Sequence, residues 1–249
     1  MGDAGYSESH AAYYDAMLKT SDREDVDFYV DRAQAADGPV LELACGTGRI
    51  YLPMLRAGVD ADGIDLSEPA LDVLRGKAAE AGLDPSVRQA NMADFSVDRA
   101  YDLVICPFNA LLHLLSIEEQ LTALECVHDA LAPGGAFVFD VFVPSFDVIC
   151  ETYGDWHVEE RTVNGDPHEM RTRTRLIEEV EQQIAVETEV SAADGELVVD
   201  DEFHLKLLPK REIELLAHLS PFEDWSVAGG FDGGPLEDGE KTQVWTLRA

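Results

Sequence analysis

The stretch VLELACGTGRIYLP, residues 40–53, decides the fold of this 249-residue chain. Its apolar first half predicts a buried strand, and its second half has the apolar spacing of an amphipathic helix. The turn Gly46-Thr47-Gly48 joins the two halves. A glycine turn between a strand and a helix lets the backbone approach a ligand, which is often an anion.

Two phosphate-binding patterns fit this turn poorly. The dinucleotide fingerprint G-x-G-x-x-G requires a third glycine where this chain has Tyr51. A P-loop ends in Gly-Lys-Ser/Thr, whereas Gly48 is followed by Arg49 and Ile50. The sequence therefore disfavours both kinds of phosphate ligand at this turn.

Acidic residues around the turn favour a cationic nucleoside instead. Glu42 lies in the strand just before the turn, where its carboxylate attracts a cation and repels a pyrophosphate. Asp65 ends the second predicted strand in GIDLS, and an acid there can accept hydrogen bonds from both ribose hydroxyls. The segment QANMADF places Asn91 and Met92 near a base. S-adenosylmethionine is a positively charged nucleoside without phosphate and has these features.

Strand and helix patterns alternate along the chain as far as Pro144. The predicted strands are residues 40–44, 61–65, 87–90, 103–106 and 136–143. The predicted helices are residues 49–57, a helix that begins after Ser67, and residues 117–131. Such alternation predicts an α/β fold, a doubly wound and mostly parallel sheet with helices on both faces.

The pattern changes to a period of two after Pro144. It predicts an antiparallel meander of three or four strands over residues 156–208, followed by a helix at 209–219 and strands at 225–229 and 243–247. We therefore predict an α/β domain, residues 1–150 and 206–249, interrupted by an inserted β subdomain, residues 151–205. Arginines at 171, 173 and 175 share one face of the second predicted strand of the meander, and glutamates at 187 and 189 share one face of the next, so cross-strand ion pairs or an anion-binding surface would explain them.

Five segments in register resemble the class I S-adenosylmethionine-dependent methyltransferases. They are LELACGTGR, GIDLS, QANMADF, YDLVICPFNALLHL and LAPGGAFVFDVF. The resemblance implies a Rossmann-like seven-stranded sheet and S-adenosylmethionine as cofactor. The later half resembles, in architecture alone, small-molecule N-methyltransferases in which the inserted meander covers the active site and contributes to a homodimer.

The resemblance also implies roles for individual residues. The cofactor-binding set is Tyr13, Glu42, Ala44, Gly46, Gly48, Asp65, Leu66, Asn91, Met92 and Pro107. In that set Asp65 holds the ribose, Leu66 packs on the adenine, and Tyr13 or Tyr14 covers the cofactor within N-terminal helices, residues 8–37. The family often has Asp where this chain has Asn91, whose carbonyl oxygen can still accept a hydrogen bond from adenine.

Methyl transfer requires alignment more than a dedicated catalytic side chain. A general base helps only when the nucleophile enters protonated, and His113 and Tyr14 are the candidates for that role. Asn109 at the exit of the fourth strand, together with Tyr153 and Trp156 at the start of the insertion, are candidate substrate contacts. The segment around Asn109 lacks the Asp/Asn-Pro-Pro-aromatic pattern of base methylases, and no metal-ligand spacing is found.

The chain is strongly acidic, with 50 acidic residues, 18 basic residues and a net charge of −32. Such a surface repels nucleic acid and anionic lipid, so we expect neither partner. Because the acids are spread along the chain, they favour a cytosol of very high salt over a basic partner. No signal peptide or membrane span is recognisable, and the four cysteines lack metal or redox spacing, so we expect a cytoplasmic protein.

The sequence thus predicts S-adenosylmethionine-dependent methyl transfer to a nitrogen or oxygen of a small molecule. The alternative is a regulatory or scaffold protein that binds the cofactor without turnover, which the Asn91 exchange favours. A protein methyltransferase that attracts a basic substrate is a further possibility, and it would lose activity with salt.

Overall fold

The computed structural model describes residues 11, 13, 14, 24–163 and 165–249. In chain order the helices are α1 Glu24–Gln34, α2 Tyr51–Arg56, α3 Glu68–Ala81, the 3₁₀ helix Ala110–His113, α4 Ile117–Ala130, α5 Phe146–Thr152 and α6 Lys210–Leu219. The strands are β1 Val40–Leu43, β2 Ala61–Asp65, β3 Ser86–Gln89, β4 Tyr101–Cys106, β5 Leu131–Phe142, β6 His157–Val163, β7 Asp166–Glu178, β8 Gln183–Ala192, β9 Leu197–Lys206, β10 Asp224–Gly229 and β11 Thr242–Arg248.

Seven strands form one mixed sheet in the order β10-β11-β5-β4-β1-β2-β3. The pairs among β1 to β5 are parallel, and β11 pairs antiparallel with β5 and β10. Strand order reverses between β1 and β4, and ligands of open α/β sheets bind at such a point, beyond the carboxyl ends of the strands. The predicted α/β fold class is confirmed.

The core lies on both faces of this sheet. Trp245 and Phe139 are fully buried and stack with ring centroids 6.4 Å apart. Burial of each such side chain contributes about 1.5–3 kcal/mol. On the opposite face Tyr29 of α1 and Leu74 of α3 are equally buried. The two faces are apolar enough to hold the carboxyl edge of the sheet rigidly.

Local signals fix the helix ends. The Ser67 side chain accepts a hydrogen bond from the backbone of Ala70 and begins α3, and Gly82 ends that helix in a left-handed conformation. Ser116 and Glu119 form a capping box at the start of α4. The predicted helix 49–57 is shorter in the structure, because α2 begins at Tyr51, which leaves Arg49 in the preceding turn.

The four remaining strands form a separate antiparallel sheet in the order β6-β7-β8-β9. Ile184 and Leu205 of this sheet are buried in the core of the main sheet, so the meander packs against the larger layer. Arg171 pairs with Glu189, and Arg173 with Glu187, across strands β7 and β8. Cross-strand ion pairing, one of the two explanations for the arginines at 171, 173 and 175, is confirmed.

Two elements were not predicted, α5 and the 3₁₀ helix after β4. Residues 8–10, 12 and 15–23 of the predicted N-terminal helices, and the turn residue Asn164, lie outside the described residues. Within the described ranges, every helix is too short or too polar to cross a membrane.

Candidate functional site

The glycine turn after β1 is tied to the end of β2. The Gly46 backbone N–H donates a 2.8 Å hydrogen bond to Oδ2 of Asp65, and the Cys45 N–H donates to the Ile64 carbonyl. Ala44 and Gly46 both have positive φ angles, 54° and 52°. The chain thus bends sharply where β1 ends, and the carboxylate of Asp65 lies against the bend.

Gly48 has a packing role. Its φ is +87°, and a β-carbon there would lie 2.8 Å from Cγ of Leu52 and 2.9 Å from Cγ of Leu74. The absence of a side chain at Gly48 therefore lets the turn pack closely against Leu52 of α2 and Leu74 of α3. A β-carbon at Gly46 would meet no atom nearer than 3.9 Å, so the space beside Gly46 is available to a ligand.

Asp65 has a buried carboxylate that can accept further hydrogen bonds. Oδ1 accepts from the Ser67 N–H at 2.7 Å, and Oδ2 accepts from Gly46. Burial raises the pKa of this carboxyl, an effect that the backbone hydrogen bonds oppose. Each carboxylate oxygen can accept more than one hydrogen bond, so both can still accept from vicinal hydroxyls. The neighbouring Leu66 is 39% exposed and presents an apolar surface beside them.

Glu42 carries a buried carboxyl that lacks a full set of partners. It is 3% exposed, and its Oε2 accepts no hydrogen bond from the described part of the chain. Burial raises the pKa of the Glu42 carboxyl well above its usual range, whereas Arg49 lowers it and Asp65 raises it further. A buried polar atom without a partner is costly and indicates that something else satisfies it.

Arg49 is the cation of this region. Its guanidinium lies 2.8 Å from a carboxylate oxygen of the buried Asp25 in α1, and its Cζ lies 4.9 Å from the Phe108 ring centroid. Arg49 therefore connects the glycine turn to α1 and to the loop that follows β4.

That loop has an unusual backbone. Phe108 and Asn109 both have positive φ angles, 60° and 61°. Oδ1 of the buried Asp140 in β5 accepts from the Phe108 N–H at 2.8 Å and from the Tyr29 hydroxyl at 2.7 Å. Oδ1 of Asn109 accepts from the Phe142 N–H at 2.6 Å. The carbonyl oxygen of the Asn109 side chain is thus engaged by β5.

A cavity of about 500 Å³ opens beside this loop. Its lining includes Phe108, Asn109, Asp140 and Phe142, together with the start of α1 and residues of the β10–β11 connection. The cavity lies at the carboxyl edge of β4 and β5, where a substrate of an open α/β sheet is expected.

His113 lies under the four-stranded sheet. Its ring centroid is 5.4 Å from that of Phe203 in β9. Desolvation of the ring lowers the pKa of the imidazole to about 4, although His113 as a whole residue is exposed. His113 is therefore neutral at pH 7 and is a weak base.

The structure places the adenine-region candidates on a tight turn. Oδ1 of Asn91 accepts from the Ala93 N–H at 2.9 Å, and the Asn91 carbonyl accepts from the Asp94 N–H. The oxygen that the sequence assigned to adenine therefore already has a backbone partner. Met92 is half-buried against the core.

Three aromatic candidates have separate surroundings. Tyr13 lies against His168 of β7, with ring centroids 5.6 Å apart, and Tyr153 packs half-buried against the core. The ring centroid of Trp156 lies 4.6 Å from Cζ of Arg171 and 4.5 Å from Cζ of Arg173. Along β7, Arg171 and Arg173 lie on the sheet face opposite the one that Phe203 occupies in β9. Because Trp156 contacts those arginines, it lies on the face turned away from His113. Tyr14 is half-buried.

Sequence analysis missed the residues that shape the β4 exit: Tyr29, Arg49, Phe108 and Asp140. One signal for Asp140 was present, because an acid inside the apolar strand FVFDVF is rarely buried without a specific partner.

Comparison with known proteins relates this chain to methyltransferases. Residues 40–135 match the family described as a methyltransferase domain. The chain is 25% identical over 134 residues to the putative methyltransferase YqeM of Bacillus subtilis, and it spans 54% of that protein. It is 27% identical over 194 residues to the dTDP-3-amino-3,4,6-trideoxy-alpha-D-glucopyranose N,N-dimethyltransferase of Streptomyces venezuelae, covering 74% of this chain and 76% of that protein.

The fold is shared with solved methyltransferases. The CcbJ methyltransferase of Streptomyces caelestis superimposes with a TM-score of 0.79 at 24% identity, covering 98% of this chain and 99% of that chain. The resemblance to methyltransferases is thereby confirmed for residues 40–135, which match the domain, and for the fold of the chain.

Proposed function

We propose that this chain, in which residues 40–135 match a methyltransferase domain, transfers the methyl group of S-adenosylmethionine to a nitrogen or oxygen of a small molecule. The observation that carries the proposal is the linked pair of Gly46 and Asp65, together with Oε2 of Glu42, which has no hydrogen-bond partner among the described residues. A cationic nucleoside is the ligand that such a set of groups suits.

The residues present fit this cofactor. Asp65 retains acceptor capacity for two ribose hydroxyls, and Leu66 provides an exposed apolar surface for a base. Glu42 and the space beside Gly46 suit the amino group and the sulfonium. When bound, S-adenosylmethionine supplies a methyl group on a positively charged sulfur.

The protein contributes alignment and exclusion of water. In-line displacement requires the acceptor atom to approach the methyl carbon opposite the sulfur, so a rigid wall at the β4 exit is the principal requirement. His113 can take a proton from the acceptor, because it is neutral at pH 7, but its low pKa makes it a weak base. Tyr14, Asn109 and Tyr153 remain proposed contacts.

An amine is the acceptor that we test first. The Streptomyces venezuelae relative is named for N,N-dimethylation of an amino sugar, and it aligns over 194 residues. Glu24 and Glu240 line the cavity with Phe108, Phe231 and Lys241, and the carboxylates and aromatic rings suit an amine, which must lose its proton before it attacks the methyl group. Amino sugars, linear amines and small hydroxylated metabolites would be offered to the purified protein with labelled cofactor.

Surroundings and assembly are part of the proposal. The net charge of −32 supports a cytoplasm of very high salt and no nucleic-acid partner.

The strand β6 is an edge of the four-stranded sheet and is mostly exposed, which supports a homodimer formed through the inserted β subdomain. Sedimentation at ~2 M KCl, with a Val158→Lys variant in β6, tests that assembly.

Turnover tests the proposal as a whole. We expect S-adenosylhomocysteine to accumulate when an acceptor amine is present and to be absent without it. Binding of both cofactor forms with no turnover across the substrate set would favour the regulatory or scaffold alternative.

A further inference from the structure

The loop that follows β4 adopts a conformation that its own residues disfavour. Phe108 and Asn109 are consecutive, neither is glycine, and both have φ near +60°. For residues with a β-carbon this region is sparsely populated, and asparagine tolerates it better than phenylalanine does. Such a conformation persists only where the surrounding structure holds it, and it is common at functional sites.

Asp140 of strand β5 holds this loop through both its side chain and its backbone. Its side-chain Oδ1 accepts from the Phe108 N–H at 2.8 Å, and its backbone carbonyl accepts from the Asn109 N–H at 3.1 Å. The Tyr29 hydroxyl donates to the same Oδ1 at 2.7 Å and fixes the carboxylate from the side of α1. Asp140 is 4% exposed, so water competes little for these hydrogen bonds.

A second set of contacts acts on the side chains of the loop. Oδ1 of Asn109 accepts from the Phe142 N–H at 2.6 Å, two residues beyond Asp140 in β5. The Arg49 guanidinium lies over the Phe108 ring. Because Arg49 follows the glycine turn of β1, the loop is connected to the proposed cofactor site on one side and to β5 on the other.

The loop also forms a wall of the cavity. Phe108 and Asn109 line the 500 Å³ cavity together with Asp140. Parallel pairing places β4 between β1 and β5, so the loop lies between the proposed cofactor site and this cavity. An acceptor in the cavity would meet Phe108 and Asn109 as it approaches the methyl group.

We propose that Asp140 is a positioning residue that holds Phe108 and Asn109 in the conformation that orients the acceptor for methyl transfer. The role rests on the proposed function, and it is exerted through the hydrogen bond that Oδ1 accepts from the Phe108 N–H. An asparagine at this position still offers an acceptor oxygen in the same place, whereas an alanine does not.

The test compares Asp140→Ala with Asp140→Asn in the full chain at high salt. In Asp140→Ala we expect kcat to fall at least tenfold, while the Kd for S-adenosylhomocysteine stays within threefold of the wild type. Asp140→Asn should keep kcat within threefold. An equal loss of kcat in the two variants would overturn the proposal, because it would show that the negative charge of Asp140 is required and that an acceptor oxygen in the same place is not sufficient.

A matched control separates positioning from stability. Asp62 also accepts a hydrogen bond from a tyrosine hydroxyl, that of Tyr101, at the amino end of the same sheet. Asp62→Ala should lower Tm without lowering kcat more than threefold. If kcat falls in proportion to Tm in both Asp62→Ala and Asp140→Ala, loss of stability explains the fall in kcat, and the proposal is overturned.

A measurement that requires no turnover tests the positioning role of Asp140 independently of the proposed function. Amide hydrogen exchange at Phe108 should speed up at least tenfold in Asp140→Ala and stay near the wild-type rate in Asp140→Asn. Unchanged exchange in Asp140→Ala would overturn the positioning role whether or not the wild type is active. If Asp140→Ala does not fold, Asn109→Ala serves instead, with kcat expected to fall at least threefold at unchanged S-adenosylhomocysteine affinity; no fall would overturn the proposal.

Discussion

The backbone N–H of Gly46 donates a 2.8 Å hydrogen bond to Oδ2 of Asp65, which joins the end of β1 to the end of β2. This contact gives the turn its shape and turns a buried carboxylate toward the carboxyl edge of the sheet. The proposed ribose site depends on it, and so does the space left beside Gly46.

Asp65→Ala should weaken binding of S-adenosylhomocysteine at least tenfold, about 1.4 kcal/mol. The substitution removes the proposed acceptors for the ribose hydroxyls and releases the Gly46 turn. Calorimetric titration measures the change, with Asp62→Ala on the same strand as the control. An affinity within threefold of the wild type would exclude Asp65 as the ribose ligand.

Glu42→Gln should separate the two forms of the cofactor. The sulfonium of S-adenosylmethionine is positive and the thioether of S-adenosylhomocysteine is neutral, so loss of the Glu42 carboxylate should weaken the first more than the second. The ratio of the two Kd values, measured by titration, should shift at least threefold. An unchanged ratio would place Glu42 away from the sulfur.

The same variant should change the pH dependence of stability. Burial raises the folded-state pKa of Glu42, so the folded state holds this proton more tightly than the unfolded state does. That stabilisation is complete below the unfolded pKa and is lost as pH rises through the folded pKa. Glu42→Gln without cofactor should therefore raise Tm at pH 8, and the gain should shrink as pH is lowered. A lower Tm for the variant at pH 8 would contradict the assignment.

The pH profile of kcat should show no titration of His113 near neutrality. Its pKa is lowered to about 4, whereas an unperturbed histidine titrates near 6.5. Wild type and His113→Gln should therefore give parallel profiles between about pH 6 and 8. A wild-type inflection near 6.5 that disappears in His113→Gln would show that His113 titrates as an accessible base.

Salt should stabilise the fold. A net charge of −32 is strongly self-repelling, and the screening length falls from about 10 Å at 0.1 M to about 3 Å at 1 M salt. Tm followed by circular dichroism should rise steadily from ~0.1 to ~2 M KCl. A Tm that is independent of KCl would remove the high-salt interpretation of the acidic surface.

The sequence predicted the parts of the site that carry a local pattern. Glycines at 46 and 48 between a strand and a helix, and an acid at the end of β2, follow from spacing alone, and the structure brings Gly46 and Asp65 into contact. The packing role of Gly48 against Leu52 and Leu74 depends on how helices meet, which spacing does not report.

The β4 exit could not be predicted in the same way. Positive φ angles at Phe108 and Asn109 have no sequence signature, since they result from hydrogen bonds to a distant strand. Trp156 illustrates the same limit, because its contacts with Arg171 and Arg173 depend on how the meander folds back. A signal for α5 was available in Ser145, whose side chain accepts from the Val148 N–H and begins that helix.

The central claim is that the site beside Gly46 and Asp65 binds a cationic nucleoside for methyl transfer. Calorimetric titration of S-adenosylmethionine and S-adenosylhomocysteine at ~2–3 M KCl tests it most directly, because charge screening is then nearly complete. The account predicts micromolar binding of both, weakened by Asp65→Ala. If the folded wild-type protein binds neither S-adenosylmethionine nor S-adenosylhomocysteine, the central claim is contradicted.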